Sequence, residues 1–325
     1  MRNMRVLEAE RMTLRWFDEA DAPFVHELLN DPAWLANIGD RNVRTLDDAR
    51  RWIADNLVAT YWRTGHGLWA MERRSDCALL GMCGLLERDA LPELDVGYAL
   101  APAFRGSGYA REAALACLRY GRDVLGRSRI LAIVSPAHRS SIRVLESIGM
   151  VQERVCVLEG ESRETAVFTW GVDAAGPPVA SDATAEIDAL VRRFFSAFSN
   201  RGATSAVTSI PSLFLPEAVV TVEAPGTSRG VDVLDVRGFV APRAALLQGG
   251  RLTDFEEREV NSQTTVDGRV ASRSSQYRKA GVLDGTPFEG GGHKHFQLVR
   301  TARGWKIAAL AWEDGDSNAH SDIPD

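Results

Sequence analysis

The sequence lacks the segments and residues that mark several large classes of protein. It contains no run of about eighteen apolar residues, which excludes a membrane-spanning helix. Its opening segment, MRNMRVLEAERM, has no apolar core of signal-peptide length, so we expect a cytoplasmic protein. Cysteines number only 4, and none of them forms a Cys-x-x-Cys pair, which argues against a zinc knuckle or a redox motif. We therefore expect reduced thiols and no bound metal.

Basic charge is also scarce. The chain of 325 residues carries 38 Lys and Arg against 44 Asp and Glu, which gives a formal net charge of −6. This balance offers no basic footprint for nucleic acid or for an anionic membrane, so neither is expected as a partner. Hydrophobic residues at 45% and charged residues at 25% are typical of a folded protein, and they exclude wholesale disorder.

A segment of small residues, glycine and prolines divides the chain at residues 173–182. Such a segment has little to bury and little helix propensity, which indicates a linker. We therefore predict a domain over residues 1–172, a second domain over residues 183–314 and a disordered tail over residues 315–325.

Helix and strand patterns differ between the two halves. In the first half they alternate, with a helix predicted over Leu46–Trp62, N-capped by Asp47, and another over Tyr109–Leu125. The second half begins with a helix over Ala183–Phe198, and four strand patterns follow near its end. The first half is therefore predicted to be α/β and the second α+β.

A glycine-rich loop, Arg105-Gly106-Ser107-Gly108, separates a strand ending at Leu100 from the helix that begins at Tyr109. Glycines allow unusual dihedrals and a close approach of the backbone. Free N–H groups and the positive end of the helix dipole then favour phosphate oxygens. Arg105 can add a charge-assisted contact. The loop is predicted to bind a phosphate group, although glycines before helices are often simple turns.

This loop resembles motif A of the GCN5-related N-acetyltransferase (GNAT) superfamily, whose signature is Q/R-x-x-G-x-G/A. The resemblance extends over about residues 8–172 and is closest to the branch that acetylates the N-termini of ribosomal proteins. It departs from the family at His138, where asparagine is usual, and at Met150, where an aromatic residue is usual. Further stretches that carry it are Glu10–Arg15, Asp18–Asp21, Asp31-Pro32, Leu46–Ile53, Asp95–Tyr98 and His138–Met150.

The resemblance implies an α/β GNAT fold, a mixed and mostly antiparallel sheet flanked by helices. It implies acetyl-CoA as co-substrate, with its pyrophosphate on the glycine loop and its pantetheine beside the end of the preceding strand. An amine would attack the thioester directly, without a metal. The residues implied to bind the coenzyme are Tyr98, Leu100, Arg105, Gly106, Ser107, Gly108, Tyr109, Ala110 and His138.

Candidate catalytic residues follow from the needs of this reaction. An attacking amine must be neutral, whereas a free amine with a pKa near 10 is mostly protonated at neutral pH. Asp95 stands where the family has its glutamate, so it is the first candidate to accept the proton, and Glu93, two residues earlier on the same strand face, is the second. Ser141 matches the family serine near the CoA sulfur and would protonate the thiolate. Solvated acids and a helix N-cap serine are the alternatives.

Other residues of the first half are candidates for subsidiary roles. An imidazole at His138 can also relay protons. Trp34 is assigned to the mouth of the substrate site, with a core position as the alternative. Asp31 and Asp40 are acids that would attract a cationic acceptor if they are free, although exposed loop acids are common.

The second half resembles the SnoaL-like, nuclear-transport-factor-like α+β cone over residues 183–314. Members of that group bind or convert ligands in a cavity, or only dimerise, so a homodimer through this domain is one expectation. His293 and His295 share a strand face, but no third metal ligand stands at a fixed spacing, and cavity lining is an alternative for His295.

We therefore expect an N-acetyltransferase that moves the acetyl group of acetyl-CoA to a primary amine, either a protein N-terminus or a small molecule. The alternative is an acyl-CoA or small-ligand binding or sensor protein, in which the cone domain serves as ligand pocket or dimerisation module.

Overall fold

A computed structural model describes residues 4–171, 183–202, 204–223 and 231–314. These residues fall into two compact units, one of residues 4–61 and 66–171 and the other of residues 62–65 and residues within 183–314. The linker predicted over residues 173–182 and the tail predicted over residues 315–325 lie outside the described residues.

An eight-stranded sheet forms the first unit, with strand order β1-β2-β3-β4-β5-β6-β8-β7. Neighbouring strands are antiparallel except β5 and β6, which are parallel. The mixed, mostly antiparallel sheet expected from the sequence is therefore present. The strands are β1 Arg5–Glu8, β2 Met12–Arg15, β3 Leu68–Arg73, β4 Leu79–Leu86, β5 Asp95–Leu100, β6 Arg129–Val134, β7 Val151–Val157 and β8 Glu164–Gly171.

The helices that accompany this sheet are mostly short. The predicted helix over Leu46–Trp62 is present in three consecutive pieces, an α-helix, a π-helical segment over Ile53–Val58 and a further α-helix. The α-helices are α1 Ala22–Leu29, α2 Pro32–Asn37, α3 Leu46–Trp52, α4 Ala59–Thr64, α5 Tyr109–Asp123 and α6 Arg139–Ser147.

The N-cap of α3 is Thr45, so the prediction of Asp47 was wrong. The Thr45 hydroxyl accepts a hydrogen bond from the Asp48 N–H at 3.1 Å, and the Asp48 carboxylate accepts one from the Thr45 N–H at 2.9 Å. This reciprocal capping box satisfies two backbone donors at once. Asp47 lies two residues after the N-cap, inside the first turn, and pairs with Arg50 instead.

Small residues bring α5 close to the sheet. Ala113, Ala114 and Cys117 are fully buried on its inner face. Gly121 continues that face, and a Cβ added there would stand 2.5 Å from a side-chain atom of Ile130. Because the helix is held closely against the sheet, its N-terminus is fixed beside the end of β5.

The second unit contains a six-stranded sheet with strand order β10-β9-β14-β13-β12-β11. Neighbouring strands are antiparallel except β9 and β14, which are parallel. The predicted opening helix is confirmed and is followed by a sheet-rich arrangement. The elements are α7 Ala183–Phe198, β9 Phe214–Glu223, β10 Val231–Leu234, α8 Val236–Gln248, β11 Leu252–Asp267, β12 Val270–Leu283, β13 Thr286–Thr301 and β14 Gly304–Asp314.

Strand β13 places Lys294 in the interior and both histidines outside. Lys294 is only 5% exposed and its Nζ lies 2.8 Å from Oε1 of Glu257. Burial lowers the pKa of Lys294, and the Glu257 carboxylate opposes that shift. His293 and His295 are exposed. The cavity-lining interpretation of His295 was therefore wrong, because alternation along the strand gives the inner face to Lys294 and Phe296.

Candidate active site

Strands β5 and β6 pair at one position and then separate. The register joins Asp95 to Leu131 and contains no later pair between these strands. The gap holds a cleft of about 390 Å³. The residues that line it are Leu28, Ala33, Trp34, Asn37, Ile38, Tyr98, Ala99, Leu100, Arg105, Gly106, Ala110, Ile133, Val134, Ser135, His138, Ser140, Ser141 and Val144.

The glycine loop adopts the backbone conformation that its sequence indicates. Gly106 has φ +75° and Gly108 has φ +81°, in the left-handed region that a side chain disfavours. Gly108 is also the N-cap residue of α5 and offers no side chain to cap it. The first N–H groups of a 15-residue helix are therefore unsatisfied by a cap, next to the cleft.

Arg11, the residue before β2, contacts both the glycine loop and the first turn of α5. Its Nε lies 2.7 Å from Oε2 of Glu112 and its Nη1 donates to the Ser107 carbonyl at 3.1 Å. The guanidinium also lies over the Tyr109 ring, 4.4 Å from the centroid. These contacts fix the turn before α5 and use the Ser107 carbonyl rather than the N–H groups of the loop.

Arg105 is held at two points. Its Nε donates to the Leu100 carbonyl at 3.0 Å, and its Nη2 pairs with the Asp31 carboxylate. Asp31 also caps α2 by accepting from the Ala33 and Trp34 N–H groups at 3.1 and 3.2 Å. Burial raises the pKa of Asp31, but these hydrogen bonds outweigh it and leave the pKa below its ordinary value. Asp31 is therefore ionised and engaged at neutral pH.

Tyr98 in β5 and Ser141 in α6 form a hydroxyl pair in the cleft. The Tyr98 Oη lies 2.8 Å from the Ser141 Oγ and 3.2 Å from the Ser141 carbonyl oxygen. Burial raises the pKa of Tyr98 to about 12, so the phenol keeps its proton at neutral pH. The pair can donate a proton or a hydrogen bond to an anion in the cleft.

His138 precedes α6 and is the N-cap residue of that helix. Partial burial lowers its pKa below 6.5, which leaves the imidazole mostly neutral at pH 7. A neutral imidazole accepts a proton at one nitrogen. The other charged or titratable side chains that line the cleft are Tyr98 and Arg105.

The two predicted carboxylates are not among the residues that line the cleft. Asp95 is 1% exposed, and its Oδ1 accepts from Arg88 Nε at 2.8 Å. Burial raises the pKa of Asp95, and Arg88 opposes that shift. Glu93 lies in a bend before β5 begins at Asp95, so the prediction that both acids share a strand face was wrong.

The structure brings part of the predicted site together. The predicted residues that line the cleft are Trp34, Tyr98, Leu100, Arg105, Gly106, Ala110, His138 and Ser141. The predicted residues that do not line it are Glu93, Asp95, Ser107, Gly108 and Tyr109. Trp34 lies in α2 rather than in a loop, is 4% exposed, and donates through its indole to the Gly39 carbonyl at 3.1 Å.

Sequence reasoning missed the short helix α2, which together with α1 forms one wall of the cleft. Leu28, Asn37 and Ile38 line the cleft from these helices, together with Trp34. The available signal was Asp31-Pro32, because an acidic N-cap before a proline at the first helical position predicts a helix start there.

No group of three or more His, Cys, Asp or Glu residues is placed to hold a metal ion in the part of the chain that the structure describes. No helix among those residues is long and apolar enough to cross a membrane.

Comparisons with known proteins concern the first half of the chain. The family model for the acetyltransferase (GNAT) domain matches residues 11–151. The uncharacterized protein YkkB of Bacillus subtilis is 32% identical over 152 residues, which are 44% of this chain and 84% of that protein. The uncharacterized N-acetyltransferase YoaA of the same organism is 28% identical over 153 residues, 46% of this chain and 85% of that protein.

Solved structures also match this half. The crystal structure of a GNAT-family acetyltransferase from Bacillus anthracis is 27% identical, covers 51% of this chain and 98% of its own, and has a TM-score of 0.44.

Proposed function

The chain belongs to the GNAT acetyltransferase family, and from that membership we propose that its first unit transfers the acetyl group of acetyl-CoA to a primary amine by direct attack. The family makes the protein an acyltransferase and acetyl-CoA its acyl donor. The amine, the residues that handle protons and the role of the second unit are proposals.

The observation that carries the proposal is the separation of β5 from β6 beside the glycine loop. Past Asp95 the β5 edge that faces β6 has no strand partner in the register, so its backbone groups, apart from the Leu100 carbonyl that accepts from Arg105, are open to the amides of pantetheine. The loop at Gly106 and the start of α5 offer N–H groups and a positive dipole end to the pyrophosphate. The two features are adjacent, as one ligand with both parts requires.

The proposed reaction needs a proton donor for the leaving thiolate, and Tyr98 and Ser141 in the cleft are hydroxyl groups that can serve. The amine nitrogen bonds to the thioester carbonyl carbon, the C–S bond breaks, and the thiolate leaves with the electron pair. We assign the proton for that thiolate to the Ser141 hydroxyl, which Tyr98 supports through the 2.8 Å hydrogen bond and which regains a proton from water. A positioned donor of this kind contributes about 10²- to 10⁴-fold to the rate.

The attacking nitrogen must also lose a proton, and two groups are candidates to take it. Asp95 keeps its place as the family's acid, but its burial beside Arg88 requires an intervening water between it and the amine. His138 lines the cleft and is neutral at pH 7, so it can take the proton directly or through one water.

Coenzyme binding and turnover test this function. Calorimetry with CoA should show binding to the full chain, and acetyl-CoA with an amine panel should release free thiol. Ser141→Ala should lower kcat about 10- to 100-fold, whereas Ser140→Ala, on the neighbouring position of the same cleft wall, should not. Absence of CoA binding would reject the function. Tight binding without thiol release for any amine would favour an acyl-CoA sensor.

For the acceptor we propose a small-molecule amine or a protein N-terminus, as the resemblance to the ribosomal-protein branch implies.

For the second unit we propose a SnoaL-like accessory domain that supports a homodimer. What supports the dimer is the exposed outer face of the long strands β12 and β13, which carries His293 and His295. Light scattering should then give twice the chain mass of 35.6 kDa, and a mass of one chain would contradict it.

A further inference from the structure

One wall of the cleft, formed by α1 and α2, is mostly apolar. The glycine loop, β5, β6 and α6 account for the coenzyme side, and helices α1 and α2 supply the opposite wall. The residues of that wall are Leu28, Ala33, Trp34, Asn37 and Ile38, and Asn37 is the polar one among them. Leu28 and Trp34 are almost fully buried, so the surface open to a ligand comes from Ala33, Asn37 and Ile38. The Asn37 amide already donates to the Ala33 carbonyl at 2.8 Å. An acceptor that enters here meets mainly the hydrocarbon of Ala33 and Ile38.

Carboxylates are missing from the residues that line the cleft. The two acids that flank this wall in the sequence are both engaged by arginines: Asp31 pairs with Arg105, and Asp40 pairs with Arg44. Arg105 itself lines the cleft and is cationic. A second positive charge on the acceptor would therefore lose hydration and gain no anionic partner in exchange.

We infer from this wall that the acceptor is a monoamine carried on an apolar or aromatic body, and not a polyamine. Its single amine loses its charge before attack, so no buried carboxylate is needed to hold a cation. Its apolar body gains by covering Ile38, which is 42% exposed, because apolar area removed from water is stabilising. The inference rests on the proposed function, since it names the acceptor of that site.

The test compares phenethylamine with spermidine as acceptors for the full chain. Free-thiol release should give a kcat/KM at least 10-fold higher for phenethylamine. A second measurement does not depend on turnover: saturation-transfer NMR on the protein saturated with CoA should detect phenethylamine and not spermidine. Equal or better use or binding of spermidine would overturn the inference, as would binding of neither amine.

A charge introduced on the wall should change this preference. Ile38 is 42% exposed and lines the cleft, whereas Leu35 on the same helix is 40% exposed and does not. Ile38→Asp should move the ratio of the two kcat/KM values toward spermidine by at least 5-fold, and Leu35→Asp should leave it unchanged. The same shift in both variants would mean that charge anywhere on α2 suffices and would overturn the assignment of the wall.

The failures of the two proposals are distinguishable. If CoA does not bind, the proposed function fails. If CoA binds and thiol is released with spermidine in preference to phenethylamine, the function stands and the monoamine inference falls.

Discussion

The carboxylate of Asp31 joins two walls of one cleft by pairing with Arg105 while it caps α2. The two residues are 74 positions apart in the sequence. Arg105 belongs to the loop assigned to the coenzyme, and the helix that Asp31 caps presents Trp34 to the assigned acceptor side. A ligand that moves Arg105 therefore changes the N-terminus of α2, and the coupling must act in both directions.

Asp31→Asn should break this coupling and leave the helix cap in place, because asparagine caps helices as well as aspartate does. In the native protein, CoA should slow amide exchange over residues 33–38. In the variant CoA should bind within about 5-fold of the native affinity, but that protection should be absent.

The control for this experiment is Asp40→Asn, which removes a carboxylate from an exposed pair with Arg44. Exposed pairs contribute little, so exchange in α2 should respond to CoA as in the native protein. Retained protection in Asp31→Asn would show that the ion pair does not connect the two walls.

Tyr98 and Ser141 should behave as one unit. Because their hydroxyls are hydrogen-bonded, Tyr98→Phe removes the partner of the proposed proton donor and should lower kcat with little effect on KM for acetyl-CoA. The double variant with Ser141→Ala should be no slower than Ser141→Ala alone. Stopped-flow measurement of thiol release gives the three rates. Multiplicative losses would show that the two hydroxyls act independently.

The pH dependence of kcat/KM should identify the proton acceptor. If His138 accepts the proton, activity falls as the pH drops through its lowered pKa, below 6.5, because the imidazolium cannot accept. His138→Asn, which restores the residue usual in the family, should then remove this acid limb. If Asp95 is the acceptor, the limb persists in His138→Asn and disappears in Asp95→Asn. Burial raises the pKa of Asp95, so its limb also lies on the acid side.

The glycine loop was predictable from sequence because its chemistry is local. Two glycines between a strand and a helix specify positive φ and free N–H groups whatever the rest of the chain does. The bend at Glu93 was less accessible: Pro92 precedes it and cannot extend a strand ladder, a signal that the alternation with Asp95 obscured. The pairing of Asp31 with Arg105 was out of reach, because it depends on how α2 packs against the loop.

In the second half, the buried face of β13 could also be predicted from the sequence. The apolar pattern Phe296, Leu298 already fixes which face of β13 is inside, and by alternation it places Lys294 there and His295 outside. The alternation thus predicts a buried lysine, which is rare in folded proteins. What sequence could not supply is its partner, Glu257, on a strand that is not adjacent to β13.

Gly106 and Gly160 form a matched pair for separating coenzyme binding from backbone strain. Their φ values are +75° and +80°, and a Cβ added at either would meet nothing within 4 Å. Alanine should therefore cost about 1–2 kcal/mol of folding free energy at each position, through the left-handed backbone alone. Only Gly106→Ala should also weaken CoA, by about 10-fold or more, since Gly106 lies in the loop that we propose for the pyrophosphate. Denaturant unfolding and calorimetry measure the two effects. Equal CoA affinity in the two variants would show that the loop does not hold the coenzyme.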